Sequence, residues 1–188
     1  MLILLSGPVG VGKTTLCLRL VDAARERGLS VSGVLAPAVI VECAKRGIQA
    51  VDLRTGEMRS MARLARGDDA ANGTRVGPYV FDDLTLDWVV ALCSKALRAT
   101  GTTQRSLIFV DEIGKLELNR GEGLAPLVPL LAQPRDAYVV AIVRDTLLGL
   151  LLAHVQGAAP RVVVVDPRRR RRAWAEITSL VFGEKASL

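Results

Sequence analysis

The sequence predicts an α/β fold with a mainly parallel central sheet and a small antiparallel insert. Short apolar runs of strand-like residues alternate along the chain with segments of helical periodicity, which is typical of βαβ units. Aromatic residues make up only 4% of the 188 residues, so the core depends on Val, Leu, Ile and Ala. This aliphatic composition favours a sheet buried on both faces. The length fits a single domain over residues 1–188.

The first half of the chain predicts a strand, a helix, the insert and a second helix. The apolar run 1–5 is a buried strand that ends in a turn, and helical spacing follows up to the C-capping Gly28. A polar, small-residue stretch is interpreted as a loop, and Asp82 or Asp83 is predicted to cap the helix behind it. The predicted elements are helix 13–27, strands 30–37, 48–53 and 58–64, loop 65–74 and helix 84–99.

The second half repeats the alternation of strand and helix. Asp166 and Pro167 are predicted to be the N-cap and first position of a C-terminal helix that ends near Phe182. The other predicted elements are strands 106–111, 138–143 and 161–165 and helices 124–132 and 146–155.

The strongest motif lies between the first strand and the first helix. Residues 7–14 read GPVGVGKT and fit the Walker A pattern G-x-x-x-x-G-K-[ST], whose backbone N–H groups and helix N-terminus form a nest for phosphates. Lys13 is expected to reach the β- and γ-phosphates but to face solvent without nucleotide, and Thr14 is expected to ligate Mg²⁺. The predicted nucleotide-binding residues are Gly7, Pro8, Val9, Gly10, Val11, Gly12, Lys13, Thr14 and Thr15.

Two carboxylates follow the strand at 107–110. Ligands of open parallel sheets bind at the carboxyl ends of the strands, so Asp111 and Glu112 are expected to face the phosphate site, as a Walker B element. Asp111 would hold Mg²⁺ directly or through a water, and Glu112 would act as the general base for an attacking water. Alternatively, Asp111 caps the turn into Ile113 and Gly114, and Glu112 is solvated.

These motifs resemble the THEP1-type, or cancer-related, nucleoside-triphosphatases. The resemblance rests on residues 7–15 (GPVGVGKTT) and 111–117 (DEIGKLE), together with Asp52-Leu53-x-Thr55-Gly56-Glu57 and Arg75-Val76-Gly77-x-Tyr79. It implies a RecA-like P-loop domain of three layers. It also implies Mg²⁺-dependent hydrolysis of ATP, GTP and other nucleoside triphosphates to diphosphate and phosphate, with low base selectivity. By position, the phosphate loop, Asp111 and Glu112 would take the family's roles.

Two segments depart from the family pattern. The family's basic, glycine-bearing segment after the second strand is here AVIVECAKRG, residues 38–47, in which the early arginine is missing. Where the family tends to have an Asn-Arg pair near the C-terminus, this chain has Pro167 followed by arginines. Base contacts are therefore not carried over from the family.

The chain carries further charged and aromatic residues outside these motifs. Arg144 follows a predicted strand and is a candidate for an arginine supplied in cis to the γ-phosphate; Arg75 and Lys115 are weaker candidates of the same kind. His154, the one histidine, is interpreted as structural. Trp88 and Trp174 lie on apolar helix faces and are expected in the core.

Five consecutive arginines, Arg168 to Arg172, account for most of the net charge of +6. Such a run can bind nucleic acid, but arginine is also a good helix former whose long stem covers apolar surface. We interpret the run as the solvated start of a helix, with nucleic-acid binding as the alternative.

The remaining composition bears on location. Cys17, Cys43 and Cys93 are an odd number without metal-ligand spacing, and the chain carries no signal-peptide pattern, so we expect reduced thiols in the cytoplasm. No apolar run approaches the roughly 18 residues of a membrane span, and we expect a monomer without membrane contact.

The sequence therefore predicts a nucleoside-triphosphatase. A nucleotide or nucleoside kinase shares the same phosphate and metal elements, but usually needs an arginine-rich lid, and only Arg66 and Arg75 lie near the 65–74 loop. A nucleic-acid-linked ATPase that uses the arginine run is the third possibility.

Overall fold

In a computed structural model that describes residues 1–66, 73–99 and 105–183, ten strands form one sheet. Nine follow the order β10-β1-β9-β8-β2-β4-β5-β7-β6, and β3 pairs with β4. The strands are β1 (Leu2–Gly7), β2 (Ser30–Leu35), β3 (Ala38–Val41), β4 (Ala44–Asp52), β5 (Met58–Leu64), β6 (Thr74–Val76), β7 (Tyr79–Phe81), β8 (Ser106–Ile113), β9 (Tyr138–Arg144) and β10 (Arg161–Val164).

The helices connect the strands and cover both faces of the sheet. They are α1 (Lys13–Glu26), α2 (Asp83–Arg98), α3 (Val128–Leu131), α4 (Leu148–His154) and α5 (Arg170–Phe182). A π-helical turn at Leu116–Arg120 and short 3₁₀ turns lie between them. Asp82 caps α2, as its Oδ1 accepts a hydrogen bond from the N–H of Thr85 at 2.7 Å.

The sheet has a parallel part and an antiparallel part, which confirms the predicted fold class. Strands β10, β1, β9, β8 and β2 run parallel to one another. Strands β4, β5, β7 and β6 pair antiparallel with one another. The two parts meet where β2 pairs antiparallel with β4. Strand β9 lies between β1, which ends in the phosphate loop, and β8, which carries the two carboxylates.

The core lies on both faces of the parallel strands, as the aliphatic composition predicts. Alternate residues of β1 point to opposite faces. Ile3 packs with residues of α1 and α5, such as Leu20 and Ile177. Leu4 packs with residues of α2 and α4, such as Leu86 and Leu151. The result is the predicted arrangement of three layers.

The antiparallel insert is larger than the sequence predicts. Segment 38–47 forms a hairpin of β3 and the start of β4, and β6 and β7 form a second hairpin. Both central residues of the first hairpin turn, Glu42 (φ 49°) and Cys43 (φ 60°), have positive φ, the signature of the type I′ turn. Residues 67–72 of the predicted 65–74 loop lie outside the described residues.

The predicted start of the C-terminal helix is wrong. Asp166 uses its Oδ1 to accept the N–H of Arg168 at 2.7 Å and its carbonyl to accept the N–H of Arg169 at 3.0 Å. These bonds close a separate turn, so α5 begins at Arg170 and not at Pro167. The predicted helix 124–132 is likewise shorter: a 3₁₀ turn precedes the four-residue α3, and each contains a proline near its start.

Both tryptophans lie at the border of the core, half-buried, with a guanidinium over each ring. Arg59 lies 4.4 Å from the ring centroid of Trp88, and Arg19 lies 4.7 Å from that of Trp174. His154 is exposed, and its Nδ1 lies 2.8 Å from the carbonyl oxygen of Leu150. Within the described ranges, no helix is both long and apolar enough to cross a membrane.

Candidate active site

The phosphate loop connects β1 to α1, as predicted. A Cβ on Gly7 would lie 2.5 Å from the carbonyl oxygen of Val165, so only glycine allows this close approach between the loop and the end of β10. Gly12 caps α1 with φ 95°, a left-handed conformation that favours glycine. The two glycines therefore set the curvature of the loop and the direction in which α1 leaves it.

Lys13 lies across the loop, and the expectation that it faces solvent is wrong. Its Nζ donates hydrogen bonds to the carbonyl oxygens of Gly7 at 2.6 Å and Pro8 at 2.9 Å. The side chain is half-buried, and this burial lowers the pKa of Lys13, while the carboxylates of Asp111 and Glu112 act in the opposite direction. The ammonium group is thus held at the mouth of the phosphate nest.

Asp111 joins the phosphate loop to the end of β8. Its Oδ2 accepts hydrogen bonds from the Thr14 hydroxyl at 3.1 Å and from the N–H of Ala36 at 3.0 Å, and its Oδ1 accepts one from the N–H of Glu112 at 2.8 Å. The side chain is only 3% exposed. Burial raises the pKa of Asp111 to about 7, Glu112 adds to the increase, and the three hydrogen bonds oppose it.

Glu112 has a strained backbone at the point where the β8–β9 pairing is interrupted. Its φ is 67°, and the register shifts between Val110 and Ile113. An irregularity of this kind re-aims a side chain, and it is common next to active sites. Asp111 is buried, whereas Glu112 is half-exposed and faces the cavity described next. The two neighbouring carboxylates therefore occupy different environments.

A cavity of about 600 Å³ lies over the phosphate loop and the ends of β8 and β9. Of the predicted site residues, it is lined by Val9, Gly10, Gly12, Lys13, Thr14, Thr15, Asp111, Glu112 and Arg144. Gly7 and Val11 are buried behind it, and Pro8 is exposed outside it. Arg144 is half-buried at the end of β9, where it is the register partner of Gly7.

Among the cavity residues that the sequence does not predict, four come from the segment that follows β2. Pro37 and Ala38 follow β2, and Ile40 and Lys45 belong to the β3–β4 hairpin, which lies over the cavity. The signal that could have indicated them is the basic, apolar stretch 38–47 directly after a strand that ends at the site. Taken by itself, however, no residue type in that stretch indicates a nucleotide site.

The two weaker candidates, Arg75 and Lys115, lie elsewhere. Both are exposed and do not line the cavity; the carbonyl of Arg75 accepts a hydrogen bond from Arg120 at 3.1 Å.

Glu117 is buried, and its carboxylate accepts hydrogen bonds from the N–H groups of Gly114 at 2.7 Å and Leu124 at 3.2 Å. Burial raises the pKa of Glu117, against the effect of these donors. Glu117 therefore orders the loop after the strand.

The arginine run lies beside the phosphate loop. The guanidinium carbon of Arg170 is 3.9 Å from the position that a Cβ on Gly12 would occupy. All five side chains from Arg168 to Arg172 are exposed, as expected for a solvated segment.

Comparison with known proteins agrees with this geometry. A sequence model of a family described as NTPase matches residues 2–178. The chain belongs to this NTPase family. The chain is similar to the nucleoside-triphosphatase THEP1 of Methanopyrus kandleri, with 31% identity over 90% of this chain and 81% of that protein. The THEP1 of Methanothermobacter thermautotrophicus is 31% identical over 96% of each chain.

Solved structures extend the likeness to the fold of the NTPase family. The solution structure of a human cancer-related nucleoside triphosphatase has a TM-score of 0.73 at 22% identity and covers 98% of both chains. The crystal structure of THEP1 from Aquifex aeolicus has a TM-score of 0.76 at 22% identity, covering 96% of this chain and 99% of its own. The phosphate loop and the carboxylates thus lie on a fold that other NTPases share.

Proposed function

We propose that this NTPase-family member hydrolyses nucleoside triphosphates to diphosphate and phosphate with Mg²⁺, and with little selection of the base. The observation that carries the proposal is the hydrogen bond from Thr14 to Asp111, because it joins the phosphate loop to the carboxylate pair across one intervening strand. Lys13, Glu112 and Arg144 line the same cavity. Phosphate binding, metal binding and proton transfer would therefore take place in one space.

The donor set fits Mg²⁺. The hydroxyl of Thr14 and the carboxylate of Asp111 are hard oxygen ligands, and the 3.1 Å between them matches two ligands of one small cation. Magnesium usually takes only one or two carboxylates and keeps several waters, so a richer acidic cluster is not required. When bound, the ion would neutralise charge on the β- and γ-phosphates.

The loop and Lys13 would hold the phosphates. The N–H groups of the loop and the positive end of the α1 dipole form an anion site, and Lys13 lies at its edge. A triphosphate would replace the carbonyls of Gly7 and Pro8 as the partners of the Lys13 ammonium. This exchange would bring the ammonium group to the β- and γ-phosphates.

Glu112 and Arg144 would carry out the chemical step. Both carboxylates line the cavity, but Asp111 is only 3% exposed whereas Glu112 is half-exposed, so we assign Glu112 as the base that orients and deprotonates the attacking water. Arg144 lies on the neighbouring strand end and would stabilise the charge that develops on the transferred group.

Two substitutions test these assignments. Glu112→Gln keeps the size of the side chain but cannot take a proton, so single-turnover hydrolysis should fall by about 10²- to 10⁴-fold while nucleotide affinity stays near that of the wild type. Asp111→Asn removes a charged metal ligand, so its activity should recover in part with excess Mg²⁺. A Glu112→Gln variant as active as the wild type would remove Glu112 as the base.

We also propose that the chain acts as a single-domain monomer in the cytoplasm, without needing nucleic acid. Cys17 and Cys93 are buried free thiols, and burial raises the pKa of both, to about 12 for Cys93. Unreactive thiols of this kind are compatible with a reducing compartment. Phosphate release would be measured with and without RNA, and with and without a nucleoside monophosphate. A nucleic-acid-linked ATPase would respond to the RNA, and a nucleotide kinase would respond to the monophosphate.

A further inference from the structure

The β3–β4 hairpin carries two neighbouring cations, of which one lines the cavity and the other does not. Ile40 and Lys45 are direct cross-strand partners, so their side chains lie on the same face of the hairpin, and both line the cavity. Arg46, the next residue of β4, is exposed, does not line the cavity, and lies 3.9 Å from the carboxylate of Glu42. The hairpin therefore presents Lys45, and not Arg46, to the phosphate site.

The position of Lys45 is specified by local irregularities. The register of β3 and β4 shifts between Val39 and Ile40, and such a shift turns the following side chains. The two turn residues beyond them hold positive φ without glycine or asparagine, which is an unfavourable conformation for Glu42 and for Cys43. This backbone keeps Ile40 and Lys45 over the cavity.

Lys45 has only a weak partner in this structure. Its Nζ lies 5.1 Å from the ring centroid of Tyr79, and it makes no ion pair within the described residues. A phosphate oxygen is a stronger partner for an ammonium group than an aromatic ring near solvent. Lys45 is therefore available to an anion that enters the cavity.

We infer that Lys45, from the β3–β4 hairpin, contacts the terminal phosphoryl group of a bound nucleoside triphosphate. This inference rests on the proposed function. The transferred group carries charge on three equatorial oxygens. Lys13 lines the cavity from the phosphate loop and Arg144 from the end of β9, whereas Lys45 lines it from the hairpin. Lys45 thus distinguishes a triphosphate from a diphosphate, since only the triphosphate has a group at that place.

The experiment compares Lys45→Met with Arg46→Met, which removes a cation of the same hairpin that does not line the cavity. Dissociation constants are measured for β,γ-imido-ATP and for ADP, each with Mg²⁺. Loss of one charge-assisted contact should weaken binding of β,γ-imido-ATP by about 10- to 100-fold in Lys45→Met and leave ADP binding within about 2-fold. Arg46→Met should match the wild type for both, and Lys45→Arg should restore most of the affinity for the triphosphate analogue.

Equal triphosphate-to-diphosphate affinity ratios in Lys45→Met and Arg46→Met would overturn the inference. Lys45 is only half-buried, so its truncation should leave the fold intact, and Lys45→Gln provides a second variant if Lys45→Met unfolds. The proposed function fails on a different result, namely wild-type protein that releases no phosphate from any nucleoside triphosphate. The two failures are therefore distinguishable.

Discussion

The strained backbone at Glu112 predicts an unusual order of stability among substitutions at this position. A left-handed φ costs a residue with a Cβ about 1–2 kcal/mol, and glycine avoids this cost. Glycine also gives the unfolded chain more freedom, which costs about 0.4–1 kcal/mol. Relative to Glu112→Ala, the Glu112→Gly variant should therefore be more stable by about 0.5–1 kcal/mol. Both lose the carboxylate and its repulsion with Asp111, so that effect cancels in the comparison.

Thermal unfolding of the two variants measures the difference. For a chain of this length, about 1 kcal/mol corresponds to roughly 2–4 °C in Tm, so Glu112→Gly should unfold about 1–4 °C above Glu112→Ala. Ala91→Gly, on the exposed face of α2, is the control, and it should lower the stability by about 1 kcal/mol, as glycine does in ordinary helices. Both Glu112 variants should hydrolyse nucleotide poorly. If Glu112→Gly unfolds at or below the temperature of Glu112→Ala, the backbone of residue 112 is not strained as described.

Three further substitutions test the site and its surroundings. Lys13→Ala should abolish triphosphate binding and hydrolysis. It should change Tm by only a few degrees, because the hydrogen bonds that Lys13 makes to loop carbonyls are partly exposed. Hydrolysis at the wild-type rate would contradict the phosphate-loop assignment. Replacing Arg168 to Arg172 with a mixture of Gln and Lys should leave turnover without nucleic acid within a few-fold. RNA-stimulated, salt-sensitive turnover that the replacement removes would instead identify the run as a nucleic-acid site. Glu117→Gln should lower the free energy of unfolding by about 1–3 kcal/mol in denaturant titrations, because the new amide nitrogen cannot accept a buried N–H; unchanged stability would exclude that role.

The sequence predicted the parts of the site whose geometry is local. The phosphate loop is a strand-turn-helix unit whose glycines, lysine and threonine each have a fixed backbone role, so its pattern identifies it without tertiary information. The position of Asp111 beside Thr14 required one more step, the rule that parallel strands end at the same edge.

The parts that were not predicted depend on contacts far apart in the chain or on unusual turns. The sequence does not predict the β3–β4 hairpin, because its turn has Glu42 and Cys43 where the type I′ turn favours Asn and Gly. The sequence predicts α5 to begin at Pro167, three residues too early. Asp166 accepts the hydrogen bonds that it would accept as an N-cap, but these bonds close a separate turn. The strain at Glu112 has no signature in the residue type at all.

The junction between the two parts of the sheet has a mechanical consequence. Strands β2 and β4 are paired over only two residues each, with Val34 opposite Asp52 and Leu35 opposite Val51. Helix α2 packs on β2 and β8 on one side of this junction and on β4 and β5 on the other. Side-chain packing by α2 therefore joins the two parts of the sheet in addition to this short backbone ladder. Weaker packing of α2 would let the β3–β4 hairpin move relative to the parallel strands. The width of the nucleotide cavity would then depend on a helix that contributes no residue to the cavity lining.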